Sequence, residues 1–382
     1  MSNPSVLQIV DSFLPVIGGK QLVVHWLTTH LNNAGFETNV FASGIGANNN
    51  FERNYSISRF PRRPRTGRIP RNTAVLMMNR IKHRPALLHA HSAFPAGLYA
   101  VLSKKIRNIP VVITCTGEDV LKVPEIGYGE SLNSKTASKI EYALRGADAL
   151  IAISEGMKEI LIEWGVSEDK IHFIPNGIDL ERFSVNEEHA IEKSNNKTLL
   201  AIGKYRRVKG FEEFLQTSAF VIKEEPDANA TIIGDGMEHL NNLITDLNLG
   251  DKLDIQEESF DYNKEDLEDK LKNSYNSSGV YISSSLSESF SITILESMAM
   301  GLPVVSTATP GAKGLIVHEE TGLLSPIGDV QKLAENVLRV FRDKELRAKL
   351  IKNALKKSKN YSWGKVSRMH INLYEQLLKK KI

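Results

Sequence analysis

Short β-branched segments alternate with helix-compatible segments along almost the whole of this sequence. The first strand is predicted at residues 6–10, and the chain then passes Pro15, Gly18 and Gly19 into a helix that ends near Gly35. Strands that alternate with helices form parallel sheets, because each helix carries the chain back to the same end of the sheet. The alternation therefore predicts an α/β fold of βαβ units.

The alternation falls into two sets. A chain of 382 residues is longer than one hydrophobic core usually supports, which favours two domains. We predict Rossmann-like domains at residues 1–178 and 197–361, a polar linker at 179–196 and a final amphipathic helix at 362–382. The remaining predicted strands lie at residues 38–41, 86–89, 110–114 and 149–153 in the first set, and at 198–202, 229–233, 253–255, 280–282 and 303–306 in the second.

The amino-acid composition indicates the cellular compartment of the protein. The single cysteine, Cys115, excludes an internal disulfide and a cysteine-rich zinc site, and it fits a reducing environment. We expect Cys115 to be a small buried residue without chemistry of its own. The sequence has no apolar run long enough to cross a bilayer, and its first residues lack the basic region and cleavage site of a signal peptide. A cytoplasmic protein is expected.

The net charge of +3 conceals a one-sided distribution. No Asp or Glu occurs between Glu52 and Glu118, and such a field attracts an anionic partner. Apolar residues beside the arginines of segment 59–84 suit docking on an anionic membrane surface. The alternative is an exposed basic loop that binds a charged soluble acceptor, whereas no nucleic-acid motif accompanies the charge. The basic residues are Arg53, Arg59, Arg62, Arg63, Arg65, Arg68, Arg71, Arg80, Lys82, Arg84, Lys104, Lys105 and Arg107.

Residues 283–305 are the most informative segment. A predicted buried strand opens into a serine-rich loop, and a helix then begins near Ser291 and ends at Gly301. The N-terminus of a helix offers unpaired backbone N–H groups and the positive end of the helix dipole, which together bind anions. Small side chains at Ser289 and Ser291 would let a diphosphate approach the backbone.

Two glutamates of this segment, Glu288 and Glu296, have seven residues between them. A carboxylate accepts two hydrogen bonds at once, which suits the vicinal hydroxyls of a sugar or a ribose. The spacing alone is common in ordinary helices. Its position between the serine-rich loop and Gly301-Leu302-Pro303 favours a binding function.

The Glu-x7-Glu pattern, followed by residues 298–305, resembles glycosyltransferase family 4, a family of retaining enzymes with a glycosyltransferase group 1 domain and the GT-B fold. The resemblance covers nearly the whole chain. It implies two Rossmann-like domains that face each other across a cleft, with a C-terminal helix that crosses back to the first domain. The other segments similar to the family are Gly18-Gly19, residues 174–179 with Phe183, residues 202–210, Gly234-Asp235-Gly236 and Ser362-Trp363.

The resemblance also implies roles for individual residues. Glu296 would hydrogen-bond the ribose hydroxyls, and Glu288 would hold the hydroxyls of the transferred sugar. Lys209, with Arg206 as partner, would neutralise the diphosphate, so that neither a metal nor a cofactor is expected and a UDP- or GDP-sugar serves as co-substrate. Base contacts are expected near residues 257–260. The implied donor-binding set is Gly18, Gly19, Lys204, Gly234, Ser289, Phe290, Ser291, Ile292 and Glu296.

Two departures concern the donor domain. Lys204 stands where the family usually has arginine, so that Arg206 or Arg207 would supply the guanidinium for the phosphate. Gly314 stands where relatives often carry glutamate. The basic residues around Lys209 could alternatively form a solvated turn.

A third departure concerns the first domain. Residues 114–119 resemble a strand-end motif of the family, in which many relatives place a histidine before the glycine. Here Thr116 stands at that position, with Glu118 or His91 as substitutes on the sugar or acceptor side. Strand alternation places His89 and His91 on one face, so one of them is expected to be a core residue. Gly18-Gly19 could alternatively be only a tight strand–helix turn.

The resulting hypothesis is a retaining transferase that moves a hexose or N-acetylhexosamine to a glycan or lipid-linked acceptor in bacterial surface polysaccharide or glycolipid synthesis. It would be cytoplasmic, with peripheral attachment to the inner face of the membrane. The alternatives are a nucleotide-sugar epimerase of the same fold and a catalytically degenerate donor-binding or membrane-tethering protein. A dehydrogenase is disfavoured, because no Gly-x-Gly-x-x-Gly follows the first strand.

Overall fold

The computed structural model describes residues 4–15, 18–44, 52–60, 67–104, 108–258 and 267–379. The described chain divides into two compact units. The first unit contains the described residues up to Gly177 and those from Trp363 onward, and the second contains those between Ile178 and Ser362. Each unit is built on one parallel sheet, which confirms the predicted α/β class with two Rossmann-like domains.

The sheet of the first unit has the strand order β3-β2-β1-β4-β5-β6-β7. Its central strands β4, β5 and β6 are buried along their whole length and largely apolar, as is usual for parallel strands that helices cover on both faces. The strands are β1 Ser5–Val10, β2 Glu37–Ser43, β3 Ile57–Phe60, β4 Leu87–His91, β5 Val111–Cys115, β6 Ala149–Ala152 and β7 Ile171–Phe173. The helices are α1 Gly19–Asn33, α2 Arg68–His83, α3 Leu98–Ser103, α4 Ser134–Gly146 and α5 Glu155–Glu163.

The sheet of the second unit has the order β10-β9-β8-β11-β12-β13. Its strands are β8 Thr198–Lys204, β9 Asn229–Asp235, β10 Leu253–Glu257, β11 Val280–Ser283, β12 Val304–Thr307 and β13 Leu323–Ser325. Its helices are α6 Glu187–Lys193, α7 Phe211–Glu224, α8 Asn241–Asp246, α9 Leu267–Ser277, α10 Ile292–Ala299, α11 Pro310–Leu315, α12 Val330–Arg342 and α13 Lys344–Ser358.

Every predicted strand is present, with its bounds within two residues of the prediction. The sequence missed three strands, β3, β7 and β13, and all three lie at the edges of their sheets. Edge strands are short and partly exposed, and β3 and β7 accordingly lack the continuous buried apolar run that marks the central strands.

Each sheet has a point at which the strand order reverses. In the second unit this point lies between the neighbouring strands β8 and β11, and in the first unit between β1 and β4. The loops that follow such a pair leave toward opposite faces, so a crevice opens at the carboxyl ends of the two strands. Ligands of open α/β sheets bind in this crevice, so a binding site is expected at the loops that follow β8 and β11.

The segment 179–196, expected to be a linker, lies within the second unit. Its helix α6 packs against α13, and Lys193 at the end of α6 donates a hydrogen bond to the carbonyl of Met300 at 2.7 Å. The buried side chain of Ala190 gives α6 its packing face.

The last helix, α14 (Trp363–Lys379), belongs to the first unit. A buried polar network joins it to the sheet. The Nδ1 atom of His89 lies 2.6 Å from the hydroxyl of Tyr374, and its Nε2 atom lies 2.7 Å from Oγ1 of Thr114. Burial lowers the pKa of His89 well below its usual range, so the ring is neutral. His89 is therefore a core histidine that anchors α14.

Candidate active site

The loop after β8 forms one short helical turn, residues Arg207–Lys209, that ends at Gly210. Gly210 has a φ of +68°, and a Cβ atom there would lie 2.0 Å from the carbonyl oxygen of Ser284 in the loop after β11. The hydroxyl of Ser284 donates to the carbonyl of Gly210 at 2.6 Å. Only glycine permits this left-handed turn at such close approach, and the turn brings Lys209 to the loop after β11.

Lys209 and Glu288 meet at the point where the strand order reverses. The Nζ atom of Lys209 lies 2.5 Å from Oε2 of Glu288, although 79 residues separate them in the sequence. The side chain of Glu288 is 15% exposed, so the pair is partly shielded from water. The N–H of Gly311 donates to the carbonyl of Glu288 at 2.8 Å and fixes the loop that carries it. The structure thus brings together a cation and a carboxylate that the sequence assigned to the diphosphate and the sugar.

Helix α10 begins directly after this loop. The hydroxyl of Ser291 accepts a hydrogen bond from the N–H of Ile294 at 3.3 Å, which makes Ser291 the N-cap. The side chains of Ser289 and Phe290 are buried beside it, and Ile292 is the first helical residue. Small residues therefore lie before the N-terminus of α10, where the sequence predicts an anion-binding site.

Glu296 lies in the middle of α10 and is only 9% exposed. The hydroxyl of Tyr275 donates to Oε2 of Glu296 at 2.8 Å. Burial raises the pKa of Glu296 to about 7, although the hydrogen bond from Tyr275 and the positive charge of Arg182 act in the opposite direction. Sequence reasoning found Glu296 but missed Tyr275 and Arg182, for which no motif exists.

The structure distinguishes the two arginines proposed for the phosphate. Arg207 donates to Glu213 at 2.8 Å and also contacts Glu212, both in the first turn of α7. This ion pair occupies its guanidinium and raises the pKa of Arg207. Arg206 lies directly before the helical turn of Lys209.

Gly234 and Lys204 lie on neighbouring strands at the same end of the second sheet. Gly234 pairs in register with Gly203, and a Cβ atom at Gly234 would lie 2.1 Å from the carbonyl oxygen of Gly203. Gly234 therefore serves the close contact of β8 and β9. The region expected to contact the base is only partly described: Glu258 is buried with its carboxylate 2.9 Å from the amine of Lys270, and residues 259 and 260 lie outside the described residues.

In the first unit, Gly18 and Gly19 mark the beginning of α1. Gly18 has an extended backbone that any residue can adopt, so its φ does not require glycine. The neighbouring Lys20 pairs with Asp11 at 2.6 Å, an interaction that the sequence did not reveal. The two glycines thus begin a helix at the carboxyl end of β1.

His91 lies at the carboxyl end of β4, where it is buried with Nε2 2.7 Å from Oε1 of Gln8. Burial lowers the pKa of His91 to about 3, so the ring is neutral. Thr116 and Glu118 follow β5, and between them and β4 the buried carboxylate of Asp119 accepts from the N–H groups of Ala93 and Gly117, at 2.6 and 3.0 Å. Asp119, missed from the sequence, fixes this loop.

The basic segment 59–84 is divided between interior and surface. Arg59 donates to the carbonyl of Leu14 at 2.7 Å, and the buried Arg80 donates to the hydroxyl of Ser103 at 2.8 Å. These contacts hold the buried Arg80 and the half-buried Arg59 in the first unit, so neither guanidinium is fully exposed. Residues 61–66, with three of the predicted arginines, lie outside the described residues.

Two family matches cover most of the chain. Residues 17–182 match Glycosyltransferase Family 4, and residues 184–357 match Glycosyl transferases group 1. Among curated relatives, N-acetyl-alpha-D-glucosaminyl L-malate synthase of Bacillus anthracis is 26% identical over 89% of each chain. Alpha-monoglucosyldiacylglycerol synthase of Streptococcus pneumoniae is 26% identical over 82% of this chain and 73% of its own.

Solved structures share the fold. Sucrose-phosphate synthase from Thermosynechococcus elongatus superposes with a TM-score of 0.85 at 20% identity, over 99% of this chain and 100% of its own. Anabaena Alr3699/HepE in complex with UDP-glucose superposes with a TM-score of 0.79 at 19% identity, over 97% of this chain and 99% of its own. The chain therefore belongs to glycosyltransferase family 4 and carries the group 1 domain on the GT-B fold.

Proposed function

We propose that this glycosyltransferase is a retaining, metal-independent enzyme that moves a hexose or N-acetylhexosamine from a nucleotide diphosphate sugar to a glycan or lipid-linked acceptor. The observation that carries the proposal is the pair of Lys209 and Glu288 at the carboxyl ends of β8 and β11. Lys209 would supply a cation for the diphosphate, and Glu288 a carboxylate for the sugar. The close contact between Gly210 and Ser284 holds together the two loops that carry them.

The charges suit the departure of a nucleotide diphosphate. The leaving group gains negative charge in the transition state, and preorganised cations and N–H groups stabilise that charge best where water is excluded. Lys209, with Arg206 and the N-terminus of α10, would supply them. Glu288 would accept hydroxyl groups of the transferred sugar and orient its anomeric carbon.

Retention is proposed to occur by front-face attack. The acceptor oxygen would bond to the anomeric carbon on the face from which the phosphate departs, and the acceptor proton would pass to the departing phosphate oxygen. Glu288 is bound to Lys209 and Glu296 to Tyr275, so both carboxylates are already engaged as hydrogen-bond acceptors. These contacts favour binding roles over nucleophilic attack.

The donor identity is open to direct measurement. The UDP-glucose complex of Anabaena Alr3699/HepE makes UDP-sugars the first candidates, with GDP-sugars next. We expect the melting temperature of the EDTA-treated protein to rise by several degrees with only one of the UDP, GDP, ADP and TDP series. A ligand at a free concentration of about 100 times its Kd adds about 2.7 kcal/mol to the free energy of unfolding. Glu296→Ala is expected to abolish the shift.

The control for this measurement is Glu335→Ala, which removes an exposed glutamate on α12 and should keep the full shift. A shift that appears only after divalent metal is restored would contradict metal independence. No shift with any nucleotide, with or without metal, would favour the degenerate tethering alternative.

The epimerase alternative requires acids and histidines that are available to move a proton on the sugar ring. The first unit contains such buried groups, namely His89, His91 and Asp119. His89 bonds Thr114 and Tyr374, His91 bonds Gln8 through Nε2, and Asp119 accepts two backbone N–H groups. These partners favour transfer over epimerisation.

We also propose peripheral membrane attachment through α2. No helix of the described residues is long and apolar enough to span a bilayer. On α2, Met78 is 61% and Ile81 65% exposed, and one helical turn places both on the same face, with the exposed Lys82 adjacent. Exposed apolar residues beside a basic residue suit an anionic lipid surface.

The membrane proposal predicts co-sedimentation with phosphatidylcholine vesicles that contain phosphatidylglycerol, and much weaker binding to phosphatidylcholine alone. The double substitution Met78→Glu and Ile81→Glu should weaken binding at least about tenfold, because it removes two apolar side chains that would insert into the lipid and adds charge repulsion. Ile162→Glu, which alters an exposed apolar residue of α5 in the same unit, should bind like the wild type. Equal binding of the double variant would contradict the role of α2.

A further inference from the structure

Tyr275 is a buried tyrosine whose hydroxyl points at the carboxylate proposed to bind ribose. Its side chain is fully buried, and the hydroxyl donates to Oε2 of Glu296 at 2.8 Å. Tyr275 lies on α9 and Glu296 on α10, so the contact joins two helices on either side of β11 in the sequence. A carboxylate has two oxygens, and this contact engages one of them.

The position of the tyrosine is itself constrained. The ring of Phe183 meets it edge-on, with centroids 6.2 Å apart, and the ring of Tyr281 lies at 6.4 Å. The amine of Lys193 donates to the carbonyl of Met300 at 2.7 Å and to that of Tyr275 at 3.4 Å, and so ties the end of α10 to α9. The hydroxyl therefore approaches the carboxylate from one fixed direction.

We infer that Tyr275 is a positioning residue for the donor: it fixes Oε2 of Glu296 and leaves Oε1 to accept the hydroxyl groups of the ribose. The inference rests on the proposed function, since it takes the ribose of a nucleotide sugar as the ligand of Glu296. Nothing in the sequence pattern indicates this residue, because the contact arises from the packing of two helices.

A second consequence concerns the ionisation of Glu296. Burial raises its pKa to about 7, and the hydrogen bond from Tyr275 is the largest influence that lowers it. Loss of the hydroxyl should therefore raise the pKa further. Because the ionised carboxylate is the better acceptor for hydroxyl groups, donor affinity is expected to fall as the pH drops through this pKa, and to fall at a higher pH without Tyr275.

Other polar and charged side chains lie on the elements around α10. Arg182 lowers the pKa of Glu296 through its charge, and Tyr281 of β11 lies nearby with its hydroxyl donated to Thr293 at 2.6 Å. On α11 the lysine Lys313 is exposed, and on α13 the buried Arg347 donates to two carbonyls of α12. Neither Tyr281, Lys313 nor Arg347 replaces the hydrogen bond to the carboxylate.

The test measures Kd by titration calorimetry with UDP-glucose and, in parallel, GDP-mannose, between about pH 5.5 and 8.5. These donors are phosphate diesters and do not titrate in this range. The wild type should show an affinity that rises with a midpoint near pH 7. Tyr275→Phe should move the midpoint upward by about one pH unit and weaken binding about fivefold near pH 7, with little loss at the alkaline end.

Two controls separate the possible failures. Glu296→Gln should remove the pH dependence, and Tyr281→Phe, which deletes a neighbouring buried hydroxyl that bonds Thr293, should keep the wild-type midpoint. An unchanged midpoint in Tyr275→Phe, together with a flat profile in Glu296→Gln, would overturn the inference alone. Absence of wild-type binding to every nucleotide sugar of the UDP, GDP, ADP and TDP series, or donor binding that Glu296→Gln leaves unaffected, would overturn the proposed function and the inference with it.

If Tyr275→Phe does not yield folded protein, incorporation of 3-fluorotyrosine into Tyr281→Phe protein provides a second measurement. The fluorinated phenol is a stronger donor and keeps the contact. The midpoint should then move to lower pH, and an unchanged or higher midpoint would contradict the inference.

Discussion

Replacing Lys209 with alanine is expected to lower kcat by about 10²–10³-fold, the size of effect produced by removing one preorganised group that stabilises developing charge. Lys209 lies in the loop after β8, with its amine 2.5 Å from Glu288, and a glycine turn fixes its position. Its charge should matter most when the nucleotide diphosphate departs. The decisive readout is the transfer rate at saturating donor.

The controls for Lys209 lie on the same stretch of chain. Lys223→Ala removes an exposed lysine near the end of α7 and should leave kcat unchanged. Lys209→Arg should retain part of the rate, because it keeps the charge but not the geometry. A Lys209→Ala enzyme with a kcat close to that of the wild type would show that the charge of Lys209 does not act on the leaving group.

Glu288→Gln is expected to lower kcat by about 10²-fold while the affinity for free nucleotide diphosphate stays within about threefold of the wild type. The substitution keeps the size of the side chain but removes the charge that accepts sugar hydroxyls and pairs with Lys209. Free diphosphate lacks the sugar, so its binding does not depend on those hydroxyl contacts. Transfer assays and calorimetry with UDP or GDP check the two halves of this expectation.

A double substitution tests whether the two residues act together. Lys209→Ala combined with Glu288→Gln should cost little more than Lys209→Ala alone, because residues in direct contact are not additive. The control is Glu238→Gln, which changes an exposed glutamate of the same unit and should keep the wild-type kcat. A parallel loss of diphosphate affinity and kcat in Glu288→Gln would contradict the sugar-binding role.

The fold could be read from the sequence wherever strands are buried on both faces. Strands such as β5 are continuous apolar runs between turn residues, and their signal is independent of the partner strand. The short edge strand β7 carries no such signal, because its residues are only partly buried or exposed. Burial of arginines was equally inaccessible: Arg80 resembles its exposed neighbours in sequence, and only the carbonyl and hydroxyl of Ser103 distinguish it.

The candidate site divides in the same way. Glu288, Glu296 and the glycine before α7 belong to local patterns, so the neighbouring sequence indicated them. Tyr275 and Asp119 act through contacts made by separate elements of the fold. A single sequence contains no spacing rule for such contacts, because they depend on how helices pack and how strands are ordered.

The anchoring of α14 in the first unit has a consequence for the biosynthesis of the protein. A ribosome releases the chain from its N-terminus, yet the partner of His89, Tyr374, leaves the ribosome only after the whole of the second unit. Until then the polar side chains buried beneath α14 have no helix to cover them. The first unit therefore completes its core only after the second unit has been translated, although its own first strand is the first to be made.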